Sequence, residues 1–265
     1  MTAGVYTWNM SDPNDGDGAG TVSQAGIYTA LQGGADTYVD EREAAAIIRR
    51  AASNAAQLAT ENRAWVMRAV RYIVGHQGVR QILDLGCGKP QRTNVHQVAQ
   101  AIDPEARVVY VDNDVPTTGR ALLEAPGTIY HHADIADVEE VLAVAATHLD
   151  LCQPTALLLG SVMHVVPVDD PAGLIRRYVQ ALPSGSLLAL SHVSNEGGAT
   201  PAQQEVIRKA YAGRLWVRTF EAIHDLFGGL ELVTPGLVDV WSWPHITEVG
   251  IPEGGLRVVG GIARI

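Results

Sequence analysis

The chain has 265 residues, with 19 basic and 29 acidic side chains and a formal net charge of −10 at pH 7. This length suits one large domain, or a domain with an appendage. An acidic chain without a Lys/Arg block lacks the charge pattern of a nucleic-acid-binding protein, and its longest apolar runs are too short to span a membrane. With two cysteines and neither a basic nor an apolar leader, we expect a cytoplasmic protein with reduced thiols.

Residues 1–78 are predicted to form a lead-in and a helical cap. Turn-forming residues and Asp fill 11–20, which favours a loop over a calcium site, because the terminal Glu of a calcium-binding loop is missing. Helix-forming residues with apolar side chains at a helical period follow at 41–58 and at 62–74. This part of the chain therefore predicts helices rather than strands.

From residue 79 to residue 265 the pattern becomes an alternation of short apolar strands and helices. The predicted strands are 81–85, 107–112, 128–132, 155–162 and 186–194. The predicted helices are 93–102, 116–125, 137–149, 171–182, 201–212 and 219–227. Because the strands are apolar on both faces, the alternation predicts an α/β fold whose parallel sheet is covered by helices on both sides.

The most informative segment is ILDLGCGKP at 82–90, where a predicted strand runs into Asp84 and is followed by Gly86 and Gly88. Glycines let a ligand approach the backbone closely, and the next helix offers free N–H groups at its N-terminus. Asp112 stands at the end of the next strand, where a carboxylate can accept hydrogen bonds from ribose hydroxyls. The pair of features favours a nucleotide-like ligand over a tight turn without one.

The residues around the glycines limit which nucleotide-like ligands can bind. A dinucleotide-binding fingerprint requires a third glycine, but this chain has Gln91 at that position. A phosphate-binding P-loop requires an earlier glycine, which is absent here, and a Ser or Thr after the lysine, where this chain has Pro90 after Lys89. A carboxylate directly before the glycines repels phosphates, but it suits a ligand that carries an ammonium group and a sulfonium centre. The pattern therefore favours S-adenosylmethionine over a nicotinamide dinucleotide.

The segments DLGCG (84–88), VDND (111–114) and ADI (133–135) resemble the successive ligand motifs of class I S-adenosylmethionine-dependent methyltransferases. The chain also resembles one actinobacterial family of that class, formerly described as a domain of unknown function. The matching stretches, in order, are 27–38, 61–72, 94–100, 108–114, 156–167, 191–194 and 227–243. The resemblance implies a Rossmann-like, doubly wound seven-stranded sheet with an N-terminal helical cap, in which 256–265 forms an antiparallel last strand.

The resemblance also implies a set of residues that hold the cofactor along the carboxyl edge of the sheet. They are Asp84, Gly86 and Gly88 at the methionine part, Asp112 at the ribose, Asn113, Asp134 and Ile135 at the adenine, Ser161 near the sulfonium, and Arg63 at the carboxylate. For Arg63 a second interpretation stays open, in which it is a surface or helix-end arginine.

Two histidines are candidates for a general base. Transfer of a methyl group from a sulfonium needs orientation and exclusion of water, and it needs a base only when the acceptor loses a proton. His164 follows the fourth predicted strand and His192 lies late in the fifth, near the edge where ligands bind. The alternative for each is a hydrogen-bonded structural histidine. His131 and His132 are adjacent on a strand and point to opposite faces, so we expect no metal site.

Aromatic side chains are candidates for contacts with the acceptor. Tyr28 and Tyr38 flank the Gly33–Gly34 pair, and such a segment can close over a ligand as a lid. Trp216 and Trp241 fall in the C-terminal third, where this class of enzyme builds its acceptor pocket, and their rings offer flat apolar walls. The alternative is an ordinary packed helix for the first pair and core packing for the second.

We therefore expect an enzyme that methylates a small molecule, a bacterial secondary metabolite, with an indole or a tryptophan-containing cyclic dipeptide as a narrower option. Neither a nucleic acid nor a membrane is expected as a partner, and a homodimer is possible. Two alternatives stay open, a non-catalytic regulatory protein that binds S-adenosylmethionine and a nicotinamide-dependent oxidoreductase.

Overall fold

The structure of the chain is a computed structural model that describes residues 22–114, 123, 125–245 and 253–265. The predicted lead-in loop at 11–20 and almost all of the predicted helix at 116–125 lie outside these residues. None of the helices in the described ranges has the length and apolar character of a membrane-spanning segment.

Within the described residues, one sheet of eight strands forms the centre of the molecule. The strands are β1 (Gln81–Leu85), β2 (Arg107–Asp112), β3 (Thr128–His132), β4 (Thr155–Gly160), β5 (Leu187–Ser194), β6 (Glu231–Leu232), β7 (Val238–Asp239) and β8 (Arg257–Arg264). Their order is β3-β2-β1-β4-β5-β8-β6, and β7 pairs with β8 off this path. The first five strands are parallel, and β8 runs antiparallel to β5.

The α/β fold with an antiparallel last strand is confirmed. The sheet has eight strands instead of the predicted seven because two strands of two residues each, β6 and β7, pair with β8. β1 lies between β2 and β4 and is buried along its whole length, as the apolar run at 81–85 predicts. The reversal of strand order at β1 and β4 opens a crevice at their carboxyl ends, the place where ligands bind in such sheets.

The helices are α1 (Gln24–Leu31), α2 (Val39–Ala51), α3 (Ala55–Gly75), α4 (Val95–Ile102), α5 (Val138–His148), α6 (Pro171–Gln180), α7 (Pro201–Ala210) and α8 (Phe220–Asp225). The helix predicted at 41–58 is interrupted at Ala52, whose backbone is extended. The side chain of Asn54 binds both the N–H and the carbonyl of Leu256, at 2.8 and 2.9 Å, and so anchors the break to the chain before β8.

Three apolar clusters hold these elements together. One lies between the sheet and α5, α6 and α8, and a second packs α3 and α4 on the opposite face, with Trp65 and Ile73 against the strands. The third joins α1, α2 and the start of α3 to Ile207 of α7 and to Leu215. Helix α3 thus shares a core with the sheet, while α1 and α2 form a cap. The predicted division of the chain at residue 78 stays a prediction.

Candidate functional site

A cleft of about 460 Å³ runs along the carboxyl ends of β1 to β4, within the range of small-molecule sites. It brings together most of the residues that the sequence predicts for the cofactor. Those in its lining are Arg63, Gly86, Gly88, Asp112, Asn113, Asp134, Ile135 and Ser161. Asp84 is buried on β1, directly before the glycine turn, and does not line the cleft itself.

Gly86 and Gly88 expose backbone without side chains on either side of Cys87. Gly86 and Gly88 have φ values of 69° and 68°, the left-handed region that side chains other than glycine rarely adopt. A Cβ atom on Gly86 would overlap the side chain of Val162, which follows β4. A Cβ atom on Gly88 would meet only the Cβ of Ala25, at 4.0 Å. The turn at Gly88 therefore leaves room above its backbone for a ligand.

The Asp112 carboxylate is held in a fixed position at the end of β2. Its Oδ2 accepts a hydrogen bond from the Gly88 N–H at 2.8 Å, and its Oδ1 accepts one from the Asp114 N–H at 2.8 Å. Each oxygen keeps a further lone pair for a ligand hydroxyl. Burial raises the pKa of this carboxyl to about 6. The site can thus present one oriented carboxylate to a pair of neighbouring hydroxyls.

Arg63 lines the cleft, and its charge acts on the carboxyl of Asp84, which is buried directly before the glycine turn. Burial raises the pKa of the Asp84 carboxyl to about 7, and the guanidinium of Arg63 opposes the rise. Arg63 donates from Nη2 to the Thr93 carbonyl at 2.7 Å, while its Nε is buried without a hydrogen-bond partner. Because an unsatisfied buried N–H costs about 1–3 kcal/mol, this atom points to an anionic ligand. The pair fits a group with both a carboxylate and an ammonium.

Ser161 connects the cleft to the cap. Its φ of 58° is unusual for a residue other than glycine, and such strain recurs at functional sites. The Ser161 N–H donates to Ser191 Oγ at 3.0 Å, and Ser191 Oγ donates to Asn62 Oδ1 at 2.7 Å. Asn62 Nδ2 donates in turn to the Tyr28 hydroxyl at 2.9 Å. A chain of hydrogen bonds therefore runs from the end of β4, through β5 and α3, to α1.

His164 lines the cleft as its sequence position predicts. It is nearly buried, and its Nδ1 has no hydrogen-bond partner. Its ring centroid lies 5.2 Å from that of His192. Burial, together with His192 and the charge of Arg218, moves the pKa of His164 well below its ordinary value. The ring is therefore neutral at pH 7 and can form hydrogen bonds with a ligand.

The contacts of His192 favour a structural histidine over a base, and its role as a base stays a prediction. Its Nε2 lies 2.6 Å from Arg218 Nη1, and its Nδ1 lies 2.8 Å from the Val193 carbonyl oxygen. A guanidinium can only donate, so Nε2 accepts and Nδ1 carries the proton. Both ring nitrogens are therefore engaged, the side chain is fully buried, and burial lowers its pKa to about 3. His192 thus has the contacts of a structural histidine next to His164.

Among the predicted acceptor contacts, Tyr28 lines the cleft and the other three do not. Tyr38 is 62% exposed and packs over the ammonium of Lys89. The side chain of Trp216 is 38% exposed, and the backbone N–H of this residue donates to the His164 carbonyl. Trp241 follows β7 and packs against the core cluster on the α3 face. Tyr38, Trp216 and Trp241 thus lie outside the lining of this cleft, and their contact with the acceptor stays a prediction.

A buried ion pair that sequence patterns did not indicate joins the cap to the glycine turn. Lys89 Nζ lies 3.2 Å from both carboxylate oxygens of Glu41 and from the Asp36 carbonyl. The two side chains are 1% and 2% exposed. Glu41 Oε2 also accepts from the Tyr38 N–H, and a Cβ atom on Gly26 of α1 would overlap this carboxylate.

Helix α1 lies over the cleft and takes the position that was predicted for a lid. Gln24, Ala25 and Tyr28 of α1 line the cleft. Ser23, which caps the helix, donates from Oγ to Asp114 Oδ2 at 2.6 Å. The helix before the glycine pair therefore lines the cleft and the Tyr38 segment does not, while closure as a lid stays a prediction.

In the described ranges, no group of three or more His, Cys, Asp and Glu side chains could hold a metal ion. His131 Nε2 lies 3.0 Å from Glu140 Oε1. Cys87 lines the cleft within the glycine turn, and burial together with Asp112 and Asp84 raises the pKa of its thiol well above the ordinary value. Its sulfur is therefore a protonated thiol at pH 7 and a poor nucleophile.

Comparison with known proteins gives a family and two named relatives. A family model described as S-adenosyl methyltransferase matches residues 17–265. Two curated relatives named trans-aconitate 2-methyltransferase come from Acidovorax sp. (strain JS42) and Acidovorax ebreus (strain TPSY). Each is 27% identical over 185 residues, which cover 65% of this chain and 64% of the relative. The chain thus spans less than two thirds of the length of these relatives.

Two crystal structures are similar along nearly the whole chain. One is a protein from Thermobifida fusca YX with a provisional methyltransferase name, at 36% identity and a TM-score of 0.84, covering 92% of this chain and 95% of that one. The other is a DUF574 family protein from Streptomyces avermitilis MA-4680, with the same identity and TM-score, covering 92% of this chain and 97% of that one. The similarity covers most of both the sheet and the helices around it.

Proposed function

Because the chain belongs to the S-adenosyl methyltransferase family, we propose that it transfers the methyl group of S-adenosylmethionine to a small molecule, a bacterial secondary metabolite. The observation that carries the proposal is the combination of Arg63, Asp84 and Asp112 around a glycine turn that leaves space for a ligand. When bound, the cofactor supplies an electrophilic methyl group on a sulfonium, which is already a good leaving group.

The charged residues at the glycine turn and along the cleft match successive parts of the cofactor. The buried Nε of Arg63 donates to the amino acid carboxylate, and Asp84 accepts from the ammonium group. Asp112 accepts from the ribose hydroxyls with the lone pairs that the backbone leaves free. Asp134 and the backbone of Ile135 lie further along the cleft lining and bind the adenine edge. Five groups on four separate parts of the chain thus orient one ligand.

The cap and His164 serve the acceptor. Helix α1 excludes water from the cleft, and the hydrogen-bond chain through Asn62 and Tyr28 fixes its position relative to Ser161. His164 is neutral, so it can accept a hydrogen bond from an N–H or O–H group of the acceptor and take up its proton as the methyl group is transferred. A narrower acceptor class, an indole or a tryptophan-containing cyclic dipeptide, remains part of this proposal.

Two measurements test the proposed function. Calorimetric titration should show that S-adenosylhomocysteine binds and that NADH does not. Incubation with S-adenosylmethionine and a panel of neutral small molecules should then release S-adenosylhomocysteine with at least one of them. Binding of NADH alone would favour an oxidoreductase. Binding of the cofactor without turnover on any member of a broad panel would favour a regulatory protein.

Affinity for S-adenosylhomocysteine is expected to rise with pH. Burial raises the pKa of Asp112 to about 6 and that of Asp84 to about 7, and both carboxyls must be ionised to accept the ligand's hydrogen bonds. Protonation therefore weakens binding, by about tenfold or more at pH 5 relative to pH 7. Calorimetry across this range measures it. An affinity independent of pH between 5 and 8 would contradict the assignment of these carboxyls.

The rings of His164 and His192 are expected to stay neutral down to pH 5. Burial lowers the pKa of both, that of His192 to about 3. In the unfolded chain a histidine is protonated near pH 6.5, so folding stability should fall as the pH drops below this value. Nitrogen-15 histidine spectra, assigned by comparison with His164→Gln and His192→Gln, measure the titration directly. A titration midpoint near pH 6.5 for the His164 ring would contradict the burial of this side chain.

A further inference from the structure

A second cavity, of about 50 Å³, lies beside the cleft on the side of the cap. We call it the apolar compartment. Its apolar wall comes from the cap helices, from α7 and the residues after it, and from the start of β8, and includes Leu31, Ile48, Leu58, Ile207, Leu215 and Val258. A single water needs about 10–15 Å³ of such volume, so the compartment can receive part of an organic molecule.

The apolar compartment opens onto the cleft at the end where the methyl group is expected. Five residues line both spaces, Tyr28, Asn62, Ser161, His164 and Tyr211. Ser161 ends β4 and is the residue that we place near the sulfonium. A group bound in the compartment therefore lies next to the reacting end of the cofactor.

The two spaces differ in charge. Among the described residues, the lining of the cleft includes Arg63, Arg214, Asp112, Asp114 and Asp134, whereas the lining of the apolar compartment includes no Asp, Glu, Lys or Arg and only the neutral imidazole of His164 as a titratable nitrogen. A carboxylate or an ammonium placed in the compartment would lose its hydration without gaining a counter-charge, which is strongly unfavourable. The compartment therefore selects a neutral group.

The polar groups at the boundary are largely satisfied by the protein. The Tyr28 hydroxyl donates to the Ala59 carbonyl at 2.9 Å and accepts from Asn62, whose oxygen accepts from Ser191. His164 is the exception, because its Nδ1 is buried without a partner. A neutral imidazole offers one lone pair and one N–H. Satisfying it requires a hydrogen-bonding group on the ligand.

From these observations we propose that the apolar compartment is the acceptor subsite, and that it takes a neutral molecule with an apolar ring or chain and one N–H or O–H group for His164. This inference rests on the proposed function and names its substrate class. The proposed acceptor differs from that of the curated relatives, which are named for trans-aconitate. A tricarboxylate does not suit a compartment without charged side chains.

Three small probes of similar shape test the proposal. Phenol, toluene and benzoate are titrated by NMR into protein saturated with S-adenosylhomocysteine. Phenol should bind, toluene about tenfold more weakly because it lacks the hydrogen bond, and benzoate at least about tenfold more weakly because of its charge. Benzoate binding as tightly as phenol, or no binding of phenol, would overturn the proposal. If S-adenosylhomocysteine itself does not bind, the proposed function fails instead.

Two variants show whether the probes bind in the apolar compartment. Ala55→Leu adds a side chain to the lining and should weaken phenol binding by about tenfold, while S-adenosylhomocysteine affinity stays within about twofold. Leu215→Ala enlarges the compartment and should improve binding of 1-naphthol relative to phenol. Ile27→Ala is the matched control, since Ile27 belongs to the same apolar cluster but does not line the compartment. Equal loss of phenol in Ile27→Ala, or unchanged binding in both lining variants, contradicts the proposal.

Discussion

Replacing Asp112 with Asn is expected to weaken the binding of S-adenosylhomocysteine by about a hundredfold. Hydrogen bonds to a charged group contribute about 1.5–3 kcal/mol each. Loss of the Asp112 charge weakens its hydrogen bonds with two ribose hydroxyls, which together account for roughly a hundredfold in affinity. The amide also turns an NH₂ group toward either the Gly88 N–H or the Asp114 N–H, both of which now donate to the carboxylate. Titration calorimetry measures the affinity.

A matched control separates the loss of ligand contacts from a general loss of stability. Asp103 also accepts a backbone hydrogen bond, from the Glu105 N–H, and lies at the end of α4 outside the cleft lining. Asp103→Asn should therefore leave the affinity unchanged. The circular dichroism spectrum of Asp112→Asn should match that of the parent chain. Unchanged affinity in Asp112→Asn would remove the ribose assignment.

Replacing Lys89 with Met is expected to destabilise the cap by about 3–5 kcal/mol. The change leaves the Glu41 carboxylate buried without its counter-charge, next to Gly26 of α1. Because Glu41 also binds the Tyr38 N–H at the start of α2, the loss should loosen α1 and α2 together. Urea denaturation gives the free energy of unfolding, and amide hydrogen exchange shows whether the loss of stability is confined to the cap.

A double variant and a surface ion pair show whether the burial of Glu41 causes the loss of stability in Lys89→Met. Glu41→Gln removes the orphaned charge, so Lys89→Met combined with Glu41→Gln should recover most of the loss. Arg177 and Glu139 form a pair whose side chains are 47% and 80% exposed, and Arg177→Met should cost less than about 1 kcal/mol. A single Lys89 variant as stable as the parent chain would show that the pair does not hold the cap.

The sheet and the cofactor end of the cleft could be predicted from local patterns. The apolar run at 81–85 has to be buried on both faces, and its glycines follow at once. Asp112 ends the next strand, and neighbouring parallel strands end at the same edge of the sheet. Strand periodicity and chain order thus determine the cleft without any knowledge of distant contacts.

The remaining features depend on contacts between residues far apart in the chain. Lys89 and Glu41 are 48 positions apart, and a charged residue in a loop is usually exposed, so its burial has no local signal. His192 and Arg218 are 26 positions apart, and only their contact shows which nitrogen is occupied. Trp241 follows the two-residue strand β7, which is too short for periodicity to assign its side chain to a face.

The most direct test of the central claim is a crystal structure of the protein with S-adenosylhomocysteine. The account predicts ribose hydroxyls within hydrogen-bond distance of Asp112, a carboxylate on Arg63 Nε and an amino group next to Asp84. It also predicts that the sulfur lies beside Ser161, at the mouth of the apolar compartment. A ligand bound elsewhere, or a ribose held by other side chains, would contradict the account.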